Sequence, residues 1–421
     1  MPHDLHRTID AVWRIESARI IGAVARMVRD VGLAEELAQD ALVAALEHWP
    51  ADGIPDNPAA WLMATAKNRA LDRLRQAALH LRKQQELGAD ADARGDHVVP
   101  DFSDALDTRD DIDDDLLRLV FTACHPVLSR EAQVALTLRL LGGLTTTEIA
   151  RAFLLPEPTI AQRIVRAKRT LTAAKVPFEV PRGDALAARL AAVLEVTYLI
   201  FNEGYSATAG DDWMRPALCD EALRLGRMLA QLEPLQPEVH GLVALMEIQA
   251  SRTRARIDAQ GRPILLLEQD RSRWDRLLIG RGLAALDRAA SLAEERGPYQ
   301  LQAAIAACHA RAHAAGETDW ARIVALYGEL ARRQPSPVIE LNRAVAIGMA
   351  FGPAAALPLV DALVASKELE RYHLLGAVRG DLLFKLGRLA EAGPEFERAA
   401  ALTSNERERA LLLERARVTL S

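Results

Sequence analysis

The stretch TTTEIARAFLLPEPTIAQRIVRAKRTL, residues 145–171, contains two helical patterns separated by a short turn. The first predicted helix follows a threonine cluster at 145–147, which can supply its N-terminal cap. The second begins near Thr159 and places Ile160 and Ile164 on its buried side. This layout is typical of a helix-turn-helix, in which the second helix lies in the major groove of DNA.

The outer face of the second predicted helix is basic, although the chain as a whole has a formal net charge of -6. Its basic side chains are Arg163, Arg166, Lys168 and Arg169. Arg and Gln side chains on such a face can reach base edges, while flanking basic residues hold phosphates. The alternative is a solvated helical hairpin. Leu154 counts against the motif, because it occupies a turn position that usually holds glycine, and a positive φ would cost about 1 kcal/mol there.

Charge is distributed unevenly along the chain. Residues 1–85 carry equal numbers of acidic and basic side chains, whereas residues 86–115 carry 12 acidic and 2 basic ones. Residues 116–175 reverse the sign, with 9 basic and 3 acidic side chains. A strongly acidic segment therefore precedes a basic module, which indicates separate partners for separate parts of the chain.

Composition predicts an all-α protein with roughly two to four domains in its 421 residues. The three cysteines, Cys124, Cys219 and Cys308, form no CxxC pair, which is typical of buried thiols in a reducing compartment. The first residues, MPHDLHRTID, lack a basic region followed by an apolar run, and we find no uninterrupted apolar stretch of about 18 residues. We therefore expect a cytoplasmic protein without a membrane partner.

Breaks in the helical pattern divide the chain into modules. Gly, Pro and Asp interrupt it through an acidic linker, and Pro177, Pro181 and Gly183 interrupt it again. The predicted organisation is a first helical module at 1–85, the acidic linker at 86–115, a helix-turn-helix module at 116–176 and a long helical remainder at 184–421.

The remainder contains hints of repetition. Residues 319–363 and 379–405 each predict a helix pair, and the second approximates a tetratricopeptide unit, whose helices bury their apolar faces by stacking on neighbours. Residues 184–310 match this pattern poorly. The small residues expected at helix crossings are Ala344, Gly348, Gly387, Ala392 and Ala399.

Two separate motifs resemble bacterial sigma factors of the extracytoplasmic-function (ECF) type, members of the sigma-70 family. TEIA, LLPEPTI and RIVRAKRTL resemble their region 4, which reads the -35 promoter element. GLAEELAQDALVAALEHW and NPAAWLMATAKNRALDRLR resemble region 2, which binds core RNA polymerase and the melted -10 element. The resemblance covers about residues 10–175, and the remainder resembles the tetratricopeptide-like extension of one subgroup.

The resemblance assigns roles to particular residues. For the -35 element the matching positions are Thr159, Ala161, Gln162, Arg163, Val165 and Arg166, with Lys168 and Arg169 as further contacts. Ala161 departs from the polar or basic residue common at its position and could touch only a thymine methyl, so the -35 preference stays open.

In region 2, Glu36, Gln39 and Asp40 lie at spacings of three and four, which places them on one helical face suited to a basic partner. A solvated face is the alternative, and the resemblance favours contact with the polymerase clamp.

A basic rail follows this face along the next helix and can track a phosphate backbone. It comprises Lys67, Arg69, Arg73, Arg75, Arg82 and Lys83. By resemblance, Asn68 contacts a flipped base of the -10 element. Trp49 and Trp61 could stack on unpaired bases, although core packing is the simpler interpretation, above all for Trp61.

The acidic linker is explained by composition as a solubilising spacer. The resemblance suggests a hypothesis in addition, that this polyanion imitates RNA in the channel of the polymerase.

Other constellations indicate little chemistry. His309 and His313 lie at i and i+4 beside Cys308 on a predicted helix, but no third metal ligand accompanies them. Residues 201–205, FNEGY, read as a helix end at Gly204. We therefore predict no metal, no cofactor and no enzymatic activity.

The sequence thus predicts a sigma factor whose partners are core RNA polymerase and promoter DNA, with a C-terminal domain that modulates activity or binds a protein or peptide. One alternative is a helix-turn-helix regulator with a peptide-sensing repeat domain that acts without polymerase. Another is an enzyme in residues 184–421, built around Glu203, His309 and His313.

Overall fold

The computed structural model describes residues 2–88, 109–207, 209–210 and 213–419. Apart from one pair of two-residue strands, its regular elements are helices, so the predicted all-α fold class is confirmed. Most of the acidic linker predicted at 86–115 lies outside the described residues. The chain divides into two compact units, residues 1–196 and 197–421, which are described separately.

The described part of the first unit contains seven helices and most of an eighth, and the unit boundary falls inside α8. They are α1 (Pro2–Val28), α2 (Val31–Asp52), α3 (Pro58–Gly88), α4 (Arg109–Ala123), α5 (Arg130–Leu140), α6 (Thr146–Phe153), α7 (Glu157–Ala173) and α8 (Asp184–Tyr205).

Helices α1, α2 and α3 form a three-helix group whose inner surface is rich in alanine and isoleucine. Asp30 caps α2, since its side chain accepts a hydrogen bond from the Leu33 N–H at 2.8 Å. Ile20 and Ile21 of α1 are almost completely buried. Small residues such as Ala38 on the buried stripe of α2 let the helices approach closely.

Helices α4 to α7 form the second group of this unit. Ser129 caps α5, and the Gln133 amide donates to the carbonyl oxygens of Cys124 and His125, which fixes the α4–α5 connection. Helix α4 also packs on α1. A Cβ added at Gly22 of α1 would lie 3.1 Å from the carbonyl oxygen of Asp115, so this crossing is close.

The second unit contains the rest of α8 and ten further helices. They are α9 (Pro216–Leu232), α10 (Pro237–Ala250), α11 (Arg276–Leu292), α12 (Pro298–Arg311), α13 (Trp320–Arg333), α14 (Pro337–Phe351), α15 (Pro353–Ser366), α16 (His373–Lys385), α17 (Leu389–Leu402) and α18 (Glu406–Val418). Two short 3-10 turns, Thr253–Ala255 and Arg271–Arg273, lie between α10 and α11.

From α13 onward each helix packs mainly on the helices next to it in sequence. The buried side chains accordingly form successive clusters along the chain, with Trp274 in the first, Leu326 in the second and Phe396 in the third. This nearest-neighbour packing is characteristic of helical repeat arrays. The more specific tetratricopeptide assignment stays a prediction.

The segment before α9 contacts the segment before α18. Strand β1 (Ala209–Gly210) pairs in parallel with strand β2 (Ser404–Asn405). The buried Asn405 amide donates to the carbonyl oxygen of Ala207 at 3.0 Å, and its side-chain oxygen caps α18. The second unit is therefore closed on itself rather than open at both ends.

Several local predictions can be compared with these helices. Ala344, Ala392 and Ala399 are fully buried, and a Cβ at Gly348 would lie 3.2 Å from Ala356 and Leu382, as expected at crossings. The prediction for Gly387 was wrong: it has a φ of 75°, and a Cβ added there would meet no atom within 4 Å, because this glycine forms the turn between α16 and α17.

Two further predictions were wrong. Residues 319–363 form three helices rather than a pair, because Pro353 starts α15 directly after α14. Gly204 does not end a helix but lies within α8, where a Cβ would come within 2.6 Å of the backbone nitrogen of Cys219. Close packing against α9, rather than a left-handed turn, explains the glycine.

Candidate nucleic-acid interface

Helices α6 and α7 form the predicted helix-turn-helix. Thr145 and Glu148 make a reciprocal capping box at the start of α6: the Glu148 N–H donates to Oγ1 of Thr145 at 3.1 Å, and the Thr145 N–H donates to Oε2 of Glu148 at 2.8 Å. Although burial opposes it, these hydrogen bonds from Thr145 lower the pKa of Glu148. Ile149 and Ala150 of α6 are buried, as the pattern predicted.

The turn has the conformation that made Leu154 unusual in the sequence. Leu154 has φ 51° and ψ 41°, in the left-handed region that usually holds glycine. The next N–H, that of Leu155, donates to the carbonyl oxygen of Ala150 at 3.0 Å and closes the helix end. The motif thus forms with a leucine in place of glycine.

Helix α7 has one buried and one exposed side. Ile160, Ile164, Ala167 and Leu171 are buried. The opposite side presents Gln162 and Arg166 to solvent, together with Val165, which is 45% exposed. Thr159 and Arg169 are also exposed, whereas Ala161 and Arg163 are half-buried. All eight predicted -35 contacts are thus wholly or partly accessible on this helix.

Lys168, the eighth, points elsewhere. Its Nζ lies 2.5 Å from Oε2 of Glu35 on α2, and it is therefore engaged within the protein in this conformation. Arg139 of α5 donates from Nε to the other oxygen, Oε1 of Glu35, at 2.6 Å. The Glu35 side chain is only 4% exposed. A buried carboxylate of region 2 is thus compensated by two cations of the helix-turn-helix module.

Other contacts join the same two groups of helices. Asp115 of α4 is buried and receives Arg26 of α1 at 3.2 Å and Arg118 at 2.6 Å. The Thr172 hydroxyl donates to Oδ2 of Asp30 at 2.8 Å. Together with Glu35, these contacts hold residues 1–88 and 109–196 in one closed arrangement that the sequence did not predict.

A signal for Glu35 does exist in the sequence. It lies among Ala34, Leu37 and Ala38 on the apolar stripe of α2, where a charge is rarely placed without a partner. Its partners are 104 and 133 positions away in the chain, so the pattern alone could not identify them.

The predicted basic rail lies on α3. Asn68 and Arg73 are exposed, and Arg75 pairs with Asp72 at 3.3 Å, both on the surface. Lys67 and Arg69 are half-buried. The side chains of Arg82 and Lys83 lie outside the described residues.

The two tryptophans near the rail differ in burial. Trp49 is 2% exposed, so for it the core-packing interpretation is correct. Trp61 is half-buried and packs edge-on against Trp49 at 5.5 Å between ring centroids. Part of the Trp61 ring is therefore accessible to solvent.

The predicted polymerase-binding residues lie on one side of α2. Glu36 and Asp40 are exposed, and Asp40 forms an ion pair with Arg69 of the rail at 3.3 Å. Gln39 is half-buried and donates to Oε1 of Glu35 at 2.7 Å. Glu36, Gln39 and Asp40 thus lie within two turns of the buried Glu35 on the same helix.

The weaker constellations do not assemble into sites. Among the described residues no group of three His, Cys, Asp or Glu side chains could hold a metal ion. The prediction that His309 and His313 share a helix was wrong, because α12 ends at Arg311 and His313 is exposed beyond it. Glu203 forms an ion pair with Arg215.

All three cysteines are free and buried, as expected from the sequence. Burial raises the pKa of Cys124 to about 11 and that of Cys219 to about 12, and it raises the pKa of Cys308 as well. The thiols are therefore protonated near neutral pH and poorly nucleophilic.

One helix, Ala185–Tyr205, is long and apolar enough to cross a membrane by length and composition. Arg189 on this helix donates to the carbonyl oxygen of Phe121 at 2.6 Å, and its guanidinium lies 5.9 Å from the Phe121 ring. The helix is thus held by protein contacts on at least one side, as a core helix is.

A helix-turn-helix with an exposed basic face, preceded by a helical module with its own basic rail, is the architecture of a DNA-binding protein. Comparisons with known families agree: residues 14–79 match sigma-70 region 2, and residues 118–171 match sigma-70 region 4. Residues 189–290 match a family of unknown function, DUF6596.

Relatives extend the assignment. The chain is 31% identical to the ECF RNA polymerase sigma factor SigK of Mycobacterium ulcerans over 36% of this chain and 78% of that protein. It is 27% identical to the probable ECF RNA polymerase sigma factor SigI of Mycobacterium tuberculosis over 42% of this chain and 58% of that protein. It is 46% identical to an uncharacterized protein of Rhizobium meliloti over 93% and 91% of the two chains. No solved structure matches.

The chain therefore belongs to the ECF family of RNA polymerase sigma factors. This family acts in transcription initiation, and its members bind core RNA polymerase and promoter DNA.

A first prediction concerns Glu35. We expect Glu35→Gln to lower the free energy of unfolding by about 2–3 kcal/mol, because it leaves Arg139 and Lys168 without their shared buried carboxylate. Urea denaturation followed by circular dichroism measures the change. The matched control is Glu36→Gln, whose exposed side chain should change stability by no more than about 0.5 kcal/mol. Equal losses in the two variants would contradict this interpretation of the buried pair.

Proposed function

We propose that this sigma factor directs core RNA polymerase to promoters through three surfaces of its first 196 residues. Helix α7 reads the -35 element, α3 binds the -10 element and the Glu36 face of α2 binds the polymerase. The observation that carries the proposal is the exposed basic face of α7 within a formed helix-turn-helix, on the same chain as a region 2 match. An operator-binding regulator has no need of region 2, which disfavours that alternative.

The remaining assignments belong to the same proposal. The modules are residues 1–85 for polymerase and -10 binding, 86–115 for the linker, 116–176 for -35 binding and 184–421 for modulation. We infer that the chain acts in the cytoplasm without enzymatic activity of its own, which is what membership of a sigma factor family implies.

Reversing the charge of one recognition residue tests the -35 assignment. We expect Arg166→Glu to lower promoter-directed transcription at least about tenfold, because it removes a base or phosphate contact and adds repulsion from the DNA backbone. Run-off transcription with purified core polymerase measures the effect. Native gel shifts of the sigma–core complex should remain unchanged.

The control is Lys175→Glu, an equal charge reversal at an exposed residue just beyond α7 and outside the predicted contacts. Its transcription should stay within about twofold of the unmodified protein. Loss of transcription in both variants, or in neither, would contradict the assignment of Arg166. Specific DNA protection by the protein without core polymerase would favour the regulator instead.

The closed arrangement constrains how this protein can reach a promoter. The two elements are centred roughly 25 base pairs apart, about 85 Å along B-form DNA. Lys168 of α7 contacts Glu35 of α2 directly in the closed arrangement. The 20 residues between the end of α3 at Gly88 and the start of α4 at Arg109 span at most about 70 Å when extended, which allows the two groups of helices to move apart. We propose that the helix-turn-helix separates from α2 when the protein binds polymerase and promoter.

Energy transfer between dyes tests this separation. Val43 on α2 and Ala174 after α7 are exposed and can be replaced by cysteine, while the three natural thiols are buried and should not label. Transfer should be high in the free protein and should fall when core polymerase is added. A doubly labelled Val43→Cys and Ala78→Cys pair, within residues 1–88, is the control and should not change. Unchanged transfer between α2 and α7 in the complex would exclude separation.

For the C-terminal domain we propose modulation of this activity. Arg189 of α8 is held by Phe121 in the first unit, so a truncation should retain α8 and end after Ser206. We expect transcript yield per bound core enzyme to differ at least threefold between the full chain and the truncated one, and the sign decides between activation and inhibition. Equal yields would remove the modulating role.

A further inference from the structure

Three arginines lie close together in the second unit, in and around the segment that joins α10 to α11. Arg256 is 8% exposed, Arg271 is 5% exposed and Arg252 is half-buried. Among the described residues none of the three forms an ion pair with a carboxylate. The charge of Glu317 acts on Arg271, but that carboxylate already accepts hydrogen bonds from the N–H groups of His313 and Ala314.

The three guanidinium groups alternate with three aromatic rings. The order along this ladder is Trp213, Arg256, Tyr205, Arg252, Trp274 and Arg271. Arg256 lies 3.5 Å from the centroid of Tyr205 and 5.7 Å from that of Trp213. Arg252 lies 5.7 Å from Tyr205 and 5.8 Å from Trp274, and Arg271 lies 5.0 Å from Trp274. The cations are thus held in place by rings rather than by acids.

Several hydrogen-bond donors at one end of the ladder are buried without an acceptor. They are Nε of Arg252, Nε of Arg271 and the indole Nε1 of Trp274. The two guanidinium groups both lie within 6 Å of the centroid of the Trp274 ring, so all three donors belong to groups in contact at this ring. Buried donors normally have a partner, and a cluster of three around one ring is unusual.

Arg271 and Arg252 play different parts in the fold. Arg271 donates from Nη1 to the carbonyl oxygens of His309 and Ala312, and from Nη2 to the Thr318 hydroxyl. It therefore ties its segment to the end of α12. The side chain of Arg252 makes no hydrogen bond with a described residue, and its guanidinium lies within 6 Å of the ring centroids of Tyr205 and Trp274. Its position is fixed while its donors stay available.

The potential in this region is strongly positive. Burial, and then the charges of Arg252 and Arg271, lower the pKa of His309 to about 3. Burial also lowers the pKa of Arg256 and of Arg271, and in each case the neighbouring charge of Arg252 adds to the effect. Cation–aromatic contacts are individually weak and offset only part of the cost of bringing three like charges together in a largely buried region. A bound anion would offset the remaining electrostatic cost of the three arginines.

We propose that Arg252, Arg271 and the Trp274 indole N–H bind the phosphate group of a small ligand. Phosphate carries close to two negative charges and several acceptor oxygens, which match two or three guanidinium groups and an indole donor. A carboxylate carries one charge and is satisfied by a single bidentate arginine. The half-buried side chain of Arg252 gives this end of the ladder access to solvent.

The test measures binding of two probes to the full chain, inorganic phosphate and glucose 6-phosphate, at constant ionic strength adjusted with sodium chloride. Quenching of tryptophan fluorescence and a rise in the melting temperature report on binding. We expect saturable binding of at least one probe. Equal affinity for both identifies phosphate itself as the ligand, and tighter binding of the ester identifies an organic phosphate.

Arg252→Gln is the decisive variant, because Arg252 makes no hydrogen bond that the fold needs. We expect it to weaken phosphate binding at least tenfold while the melting temperature without ligand stays the same or rises, since one of three like charges is removed. Arg254→Gln is the matched control, exposed on the same 3-10 turn, and should bind as the unmodified protein does.

Two results would overturn the proposal. One is the lack of saturable binding of either probe to the unmodified protein. The other is an Arg252→Gln variant that melts at lower temperature yet binds phosphate unchanged, which would make the ladder a purely structural feature.

Discussion

The buried carboxylate of Glu35 links the two groups of helices in the first unit more directly than any other described side chain, because it pairs with two cations of the second group. Its charge is tolerated because Arg139 and Lys168 reach it from two helices of the other group. Neither cation could be supplied by α2 itself, which contains no lysine or arginine. The position of the recognition helix is thus tied to the charge balance of the helix that resembles a polymerase-binding element.

Because of this constraint, α7 cannot simply separate from α2: Glu35 must exchange its present cations for water or for other cations. When α7 leaves, Glu35 must meet water or another cation, and the adjoining Glu36 and Asp40 increase the demand for positive charge at that surface. A basic partner surface would satisfy all three acids together. The same feature that holds the free protein closed would then favour the bound state, with Lys168 released to the recognition face.

The sequence predicted those features that arise from short-range patterns. The helix-turn-helix follows from the threonine cap, the apolar spacing and the turn within 27 residues, and even the unfavourable backbone of Leu154 could be anticipated. The all-α class follows from periodicity. Long-range features could not be predicted, because neither the partners of Glu35 nor the ladder of Arg252 leaves a local pattern. Gly204 shows the same limit, since a turn glycine and a packing glycine look alike in a sequence.

The pairing of β1 with β2 has a consequence for how the protein is made. The contact joins residues about 195 positions apart, so the first part of the second unit lacks its partner until Asn405 has been synthesised. Helices α9 to α17 can pack on their neighbours as they leave the ribosome. Closure must wait until Asn405 has left the ribosome, so a chain interrupted before residue 404 would leave β1 without its partner strand.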